Sequence, residues 1–284
     1  MQPLKALPSD IARQIAFVLS DLDDTLTLEG RLPAVSYAGL ERLAQDGKKI
    51  VIVTGRPAGW CDMIARFWPV DGVVGENGAF YFRYVRDENR MVRTFLHDDE
   101  TRAKDRVTLA GFFEELRKVH PQLKLASDQA FRISDIAIDI CEDVDPLSKE
   151  VVQDVVKRLE GMGATVKVSS IHINAWIGKF DKLSMIERFL QDEFGIGTVV
   201  AREVVLYAGD SPNDEPMFAA FTHTVGVANI ENFAAEMTHL PAYVTRGEGG
   251  LGFLEIAQAL AAASAPALMA QRERSRRSSL PRRR

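Results

Sequence analysis

Short runs that are apolar at nearly every position, each followed by a stretch with helical spacing, constrain this chain more than any other feature. Ile15–Ser20, Lys49–Val53 and Val70–Val74 are such runs. Between the first two, Ser36–Gln45 carries Leu40, Leu43 and Ala44 at helical intervals, and a helix over Ala58–Phe67 follows Pro57. Strands without a polar face, alternating with amphipathic helices, predict a parallel sheet covered on both sides.

The rhythm then changes. Ala79–Val85 and Met91–Leu96 read as a hairpin, and a helix is expected over Asp99–Val119. Ile133–Ile140 alternates like a half-exposed strand, a helix runs from Asp145-Pro146 to Leu159, and Thr165–Ser169 and Ile171–Ile177 pair as strands. Strands joined as hairpins around two helices point to a separate α+β insert. After Gly178 the first rhythm returns, with a helix over Lys182–Phe194 and strands at Glu203–Ala208, Thr224–Ala228 and Ala242–Thr245. The last helix is expected over Gly250–Ala263. The expected division is a core over 1–84 and 179–263, a cap over 85–178, and a basic, disordered tail over 264–284.

Composition narrows the setting. No stretch approaches the ~20 consecutive apolar residues of a membrane span, and Ile15–Leu19 runs into Ser20-Asp21 without a cleavage pattern, so it reads as a strand and not a signal peptide. Cys61 and Cys141 are too few for a disulfide scaffold, which favours a reduced, cytoplasmic setting with both thiols buried. The net charge is −5, yet the seven arginines and one glutamate of residues 265–284 leave −11 on the rest. An acidic body repels phosphate backbones and argues against nucleic acid as a partner.

Ser20-Asp21-Leu22-Asp23-Asp24-Thr25 follows the first apolar run directly. In open parallel sheets ligands sit at the carboxyl ends of strands. Three carboxylates in four positions repel one another unless a cation or a shared proton relieves them. An EF-hand loop would need glycine at its sixth position and glutamate at its twelfth, where this chain has Leu26 and Leu32. A second acidic loop, Gly209-Asp210-Ser211-Pro212-Asn213-Asp214, also follows an apolar strand. Together the loops supply oxygen ligands and no histidine or cysteine, which favours Mg²⁺ over Zn²⁺. Val53-Thr54-Gly55-Arg56 places a hydroxyl and a backbone N–H before a helix whose dipole favours anions. Lys182, where the core resumes, would neutralise the carboxylates and hold a phosphate oxygen.

These four pieces, in this order, resemble the haloacid dehalogenase superfamily, and in particular its phosphatases with a type IIB cap: the Cof-type, sucrose-phosphate, trehalose-phosphate and mannosyl-phosphoglycerate phosphatases. Gly75-Glu76-Asn77-Gly78-Ala79 and the place of the insert between Thr54 and Lys182 belong to the same likeness, which spans residues 15–260. It implies a Rossmann-like core, an inserted α+β cap and an aspartyl-phosphate mechanism. On it, Asp21 is nucleophile and Mg²⁺ ligand. Asp23 is general acid/base and gives the metal its backbone carbonyl. Thr54 and Lys182 bind the transferring phosphoryl group. Asp210 is a metal ligand, and Asn213 and Asp214 hold the metal's waters or the lysine. Gly55, Arg56 and Asn77 lie beside these motifs and count with the surroundings of the substrate. Asp24 stands where many relatives have glycine.

The resemblance also implies that the cap selects the leaving group. Alternation puts His172, Asn174 and Trp176 on one strand face, where His172 and Asn174 would meet sugar hydroxyls, or else on a plain exposed face. Arg132 and Lys167 are further basic residues of the cap, and Trp60 and Trp68 are assigned to packing. The expected function is a phosphomonoesterase acting on a small sugar phosphate or related metabolite. The alternatives are a phosphomutase on the same fold, or a non-catalytic phosphate-binding or signalling module.

Overall fold

The computed structural model describes residues 1–169 and 171–278. The chain divides into two compact units. One comprises residues 1–50, 199–210 and the chain from Met217 onward; the other comprises 51–198 and 211–216.

In the first unit five strands lie side by side in the order Gln2–Pro3, Tyr243–Val244, His223–Gly226, Val205–Gly209 and Phe17–Ser20. Every neighbouring pair is parallel. Val18, Leu19, Val205, Leu206, Tyr207 and Ala208 are fully buried, which is why these runs carry no polar alternation. The helix Ala34–Gln45 turns Leu40 and Leu43 inward. Its Gly39 lies against Phe253 and Ala257 of the long helix Gly249–Ser278. That helix passes well beyond Ala263, so the backbone of the expected tail is helical to Ser278. Residues 279–284 lie outside the described residues.

The second unit carries a run of four strands and a separate sheet. Lys49–Val53 pairs parallel with Gly72–Gly75 through Val51, Ile52 and Val53. Phe80–Val85 then joins antiparallel, followed by Arg90–Phe95. The hairpin therefore extends this run and is no part of the second sheet. Phe80 stacks on Phe82 at 4.4 Å, with Phe95 edge-on to both, and this aromatic group fixes the pairing.

The second sheet is antiparallel, in the order Asp135–Asp139, His172–Trp176, Thr165–Val168. Ile136, Ile138, Ile173 and Ala175 face the helices Asp99–Val119 and Lys149–Gly161, where Leu109, Leu116, Val155 and Leu159 complete a core. The other face bears Asp135, Asp139, His172, Asn174 and Trp176. Strand Asp135–Asp139 was expected to be half exposed, but it is buried throughout. The reason is that its polar side chains are satisfied internally. Asp139 accepts the amides of Cys141, Glu142 and Asp143, and Asp135 meets Arg132 and Asn174. Two further expectations are corrected. Cys61 is buried but Cys141 is exposed, and Trp60 is an exposed helix residue with the Arg56 guanidinium over its ring.

Candidate active site

Parallel pairing of Phe17–Ser20 with Val205–Gly209 ends both strands at the same edge, so Asp21 and Asp210 follow neighbouring strand ends. The Asp21 amide donates to Ala208 O at 3.0 Å, continuing the ladder by one step. Thr25 Oγ1 donates to Asp210 Oδ1 at 3.0 Å. Leu22–Thr27 forms a tight turn in which the Leu26 and Thr27 amides reach Leu22 O and Asp24 takes a positive φ of 56°. Asn229 Nδ2 donates to Asp24 O at 2.9 Å, which holds that turn from outside. Aspartate is among the residues that tolerate this conformation, so Asp24 serves where glycine is the easier choice.

Ligand atoms of Asp21, Asp210 and Asp214 lie within 4.8 Å of one another, and all three residues are buried. The carboxylate of Asp23 stands outside this group and is half-buried. Asp214 ends the short turn Pro212–Asp214, where Asp214 Oδ2 accepts from the Ser211 amide and Asn213 is half-buried. Lys182 Nζ reaches Asp214 Oδ1 at 3.4 Å. Lys182 opens the helix Lys182–Phe194 behind Asp181, whose side chain and Ser184 form a capping box. The turn Glu76–Gly78 seats this helix start. Gly78 has φ 104°, and a Cβ there would collide with the Asp181 carbonyl.

Thr54 follows Lys49–Val53 and is fully buried. Its amide donates to Val74 O at 2.9 Å, and its Oγ1 accepts from the Arg56 amide at 3.0 Å, which leaves the hydroxyl hydrogen to donate. The Asn77 amide closes on Thr54 O at 3.2 Å. A Cβ on Gly55 would stand 3.2 Å from the Asn77 side-chain amide and 3.6 Å from Asn174 Oδ1, so the glycine lets these groups approach. Asn77 Nδ2 is buried without a hydrogen-bond partner.

His172 and Asn174 share a face, as alternation implies, but it is buried. Asn174 Nδ2 donates to Asp135 Oδ2 at 3.1 Å. His172 Nε2 stands 2.9 Å from Glu142 Oε2, whose other oxygen accepts from Arg56 Nη2 at 2.8 Å. The hydrogen bond from His172, helped by Arg56, pulls the Glu142 pKa down to about 2. Arg132 is buried and donates through Nη1 to Gly55 O and to Asp135 at 3.0 Å. Its Nε is 3.4 Å from Asp128, which also lies 3.7 Å from Arg56. Arg132 is thus neutralised by its own neighbours, while Lys167 is exposed.

Sequence reasoning missed Glu76, Asp128, Asp135 and Glu142. Glu76 is fully buried, and its carboxylate takes the amides of Ala58, Ile133 and Ser134. Burial, with Asp135 nearby, pushes its pKa up to about 8. The only signal was the position of Glu76 in a Gly-Glu-Asn-Gly turn after an apolar strand; the other three sit in segments that read as ordinary polar loop and strand.

Residues 18–106 match the family described as haloacid dehalogenase-like hydrolase. A search of curated proteins gives no match. Among solved structures the chain is similar to a protein of Thermoplasma acidophilum, at a TM-score of 0.66 and 19% identity, covering 87% of this chain and 98% of the other. A HAD/COF-like hydrolase of Plasmodium vivax gives 0.65 and 16%, covering 89% and 99%. The C-terminal domain of C. albicans trehalose-6-phosphate phosphatase gives 0.64 and 15%, covering 92% and 99%. The chain has the fold of the haloacid dehalogenase-like hydrolases and, over residues 18–106, the sequence signature of that family.

Proposed function

We propose that this chain is a Mg²⁺-dependent phosphomonoester hydrolase that passes a phosphoryl group through Asp21 to water. The observation that carries this reading is the convergence of the Asp21, Asp210 and Asp214 carboxylates within 4.8 Å. Like charges held that close are costly without a counter-ion. Their all-oxygen donor set suits a hard divalent cation. Such a cation would relieve the negative charge that a phosphate dianion meets and polarise a phosphoryl oxygen.

The chain's own residues supply the rest. Asp21 attacks phosphorus, and its carboxylate oxygen forms a bond as the ester oxygen leaves. Asp23 gives that oxygen a proton and then takes one from the water that opens the acyl phosphate. Thr54 donates its hydroxyl hydrogen to a phosphoryl oxygen, with its lone pair already engaged by the Arg56 amide. Lys182, seated by its capping box and paired with Asp214, adds positive charge. Asn213 lies in the same turn as Asp214 and would hold the metal's waters or the lysine with it.

The substrate class is a small sugar phosphate or related metabolite. Its support is the likeness to a trehalose-6-phosphate phosphatase domain and a COF-like hydrolase. In this reading residues 85–178 act as the cap that selects the leaving group. A cytoplasmic setting belongs to the same proposal, supported by two free cysteines; among the described residues no helix is long and apolar enough to cross a membrane.

The test is phosphate release from a panel of sugar phosphates and an aryl phosphate, with and without Mg²⁺, beside Asp21→Asn. Metal-dependent release that disappears in the variant is expected. Release that persists in Asp21→Asn would sink the aspartyl-phosphate route, and transfer to a second sugar without free phosphate would make the chain a mutase.

A further inference from the structure

Glu76 occupies an unusual position. It is fully buried in a turn, and it takes the left-handed region at φ 42°, as does Asn77 at 55°. Such a backbone in a bulky residue persists only where the surroundings hold it. Here they do so from three directions. The Glu76 amide donates to Arg56 O at 3.2 Å, and the next amide, that of Asn77, donates to Thr54 O. The carboxylate then reaches back to the same loop, where Oε1 accepts the Ala58 amide at 3.0 Å. It also reaches away from it: the Ile133 amide lies 3.0 Å from Oε1, and the Ser134 amide lies 2.6 Å from Oε2.

One side chain thus grips both the loop from Thr54 to Ala58 and the segment leading into strand Asp135–Asp139. The two stretches also pack directly, since a Cβ on Gly59 would come within 2.9 Å of Phe131. Arg132 adds a parallel tie through Gly55 O at 3.0 Å. Both oxygens of the Glu76 carboxyl group can accept amide N–H groups, whereas a glutamine must turn an NH₂ toward at least one of them. The grip passes to Thr54 by short steps. Glu76 holds Arg56 O, and the Arg56 amide holds Thr54 Oγ1, the atom whose hydrogen faces the phosphoryl group on the proposed mechanism.

We infer that Glu76 is a positioning residue, which sets the Thr54 hydroxyl for phosphate by clamping its loop against the segment at Ile133–Ser134. This rests on the proposed reading of Thr54 as a phosphate-binding residue. A misplacement of such a donor by a fraction of an ångström to one ångström costs about 10²-fold in rate.

The experiment is a double-mutant cycle with Glu76→Gln, Thr54→Val and the double variant. It is read as the rate of phosphate release and as the affinity for inorganic phosphate by calorimetry in the presence of Mg²⁺. Glu76→Gln is expected to lose about 10²-fold in rate and about tenfold in phosphate affinity. The double variant should be no more than about threefold worse than Thr54→Val, because both changes remove one interaction. Losses that multiply in the double variant, or a lower rate with unchanged phosphate affinity, would overturn the inference, since a smaller folded fraction lowers the rate alone. Should Glu76→Gln not fold, Glu76→Asp, which keeps the carboxyl group and withdraws it by one methylene, enters the same cycle with the same outcomes. Active wild type with a multiplicative cycle sinks this inference alone. Inactive wild type sinks the proposed function, and the phosphate affinities then decide between the same two outcomes.

Discussion

Two regions of this molecule bury charge, and they do it in opposite ways. Beyond the strand ends, Asp21, Asp210 and Asp214 bring three carboxylates of one sign together, with Lys182 on Asp214. Against the face of the second sheet that bears Asp135 and His172 the signs alternate: Arg56 between Glu142 and Asp128, Arg132 between Asp128 and Asp135. The first arrangement gains from a cation. The second is already balanced, and its strength lies in fixing one geometry, because losing any member leaves a partner buried without its counter-charge. Buried charge is therefore not one kind of evidence. Same-sign convergence points to a ligand, and alternating sign points to architecture.

Substitutions separate the two. Asp210→Asn should lower Mg²⁺-dependent phosphate release by about 10³-fold, or about 4 kcal/mol of transition-state stabilisation, with little change in the urea midpoint. A variant that keeps its rate but unfolds early would make the carboxylate group architectural. Arg132→Met should do the reverse on stability, costing about 3–5 kcal/mol by leaving Asp135 and Asp128 uncompensated. Adding Asp135→Leu should recover part of that loss; a double variant weaker than the single would show that Asp135 is not left uncompensated when Arg132 is lost.

Mg²⁺ should raise the melting temperature of the wild type by the equivalent of about 2.7 kcal/mol at a hundredfold excess over Kd. Asp210→Asn should blunt that rise, and Arg132→Met should leave it in place. A rise untouched by Asp210→Asn would move the metal elsewhere.

The smallest expected effects are slopes of stability against pH, and they oppose each other within the balanced region. Burial and Asp135 raise the Glu76 pKa from its ordinary 4.5 to about 8, so its favourable contribution is full below 4.5 and fades as pH rises through 8. His172 lowers the Glu142 pKa from 4.5 to about 2, so its contribution is full above 4.5 and fades as pH falls through 2. Urea midpoints across pH should show Glu76→Gln flattening the upper limb and Glu142→Gln flattening the lower. Because Glu142 is partly exposed, solvent screening keeps its effect modest. A wild-type upper limb preserved in Glu76→Gln would assign it to another group.

The sequence by itself determined the strand ends and the loops that leave them. Apolar runs such as Phe17–Ser20 and Val205–Gly209 can only be buried on both faces, and the residues just past such strands must lie at one sheet edge. That logic placed Asp21 and Asp210 just past neighbouring strand ends, where the parallel pairing puts them. The short helices Ser9–Gln14 and Thr198–Val204 escaped it because they span too few residues for helical periodicity to stand out. Only the tertiary structure decided the polar face of the second sheet. Whether Asp135, His172 and Asn174 meet water or one another depends on what is laid over them, and Arg132, Glu142 and Glu76 come to that place from distant parts of the chain. Local pattern encodes which face a side chain takes. It does not encode the partner across it, because that partner is brought by packing and not by spacing along the chain.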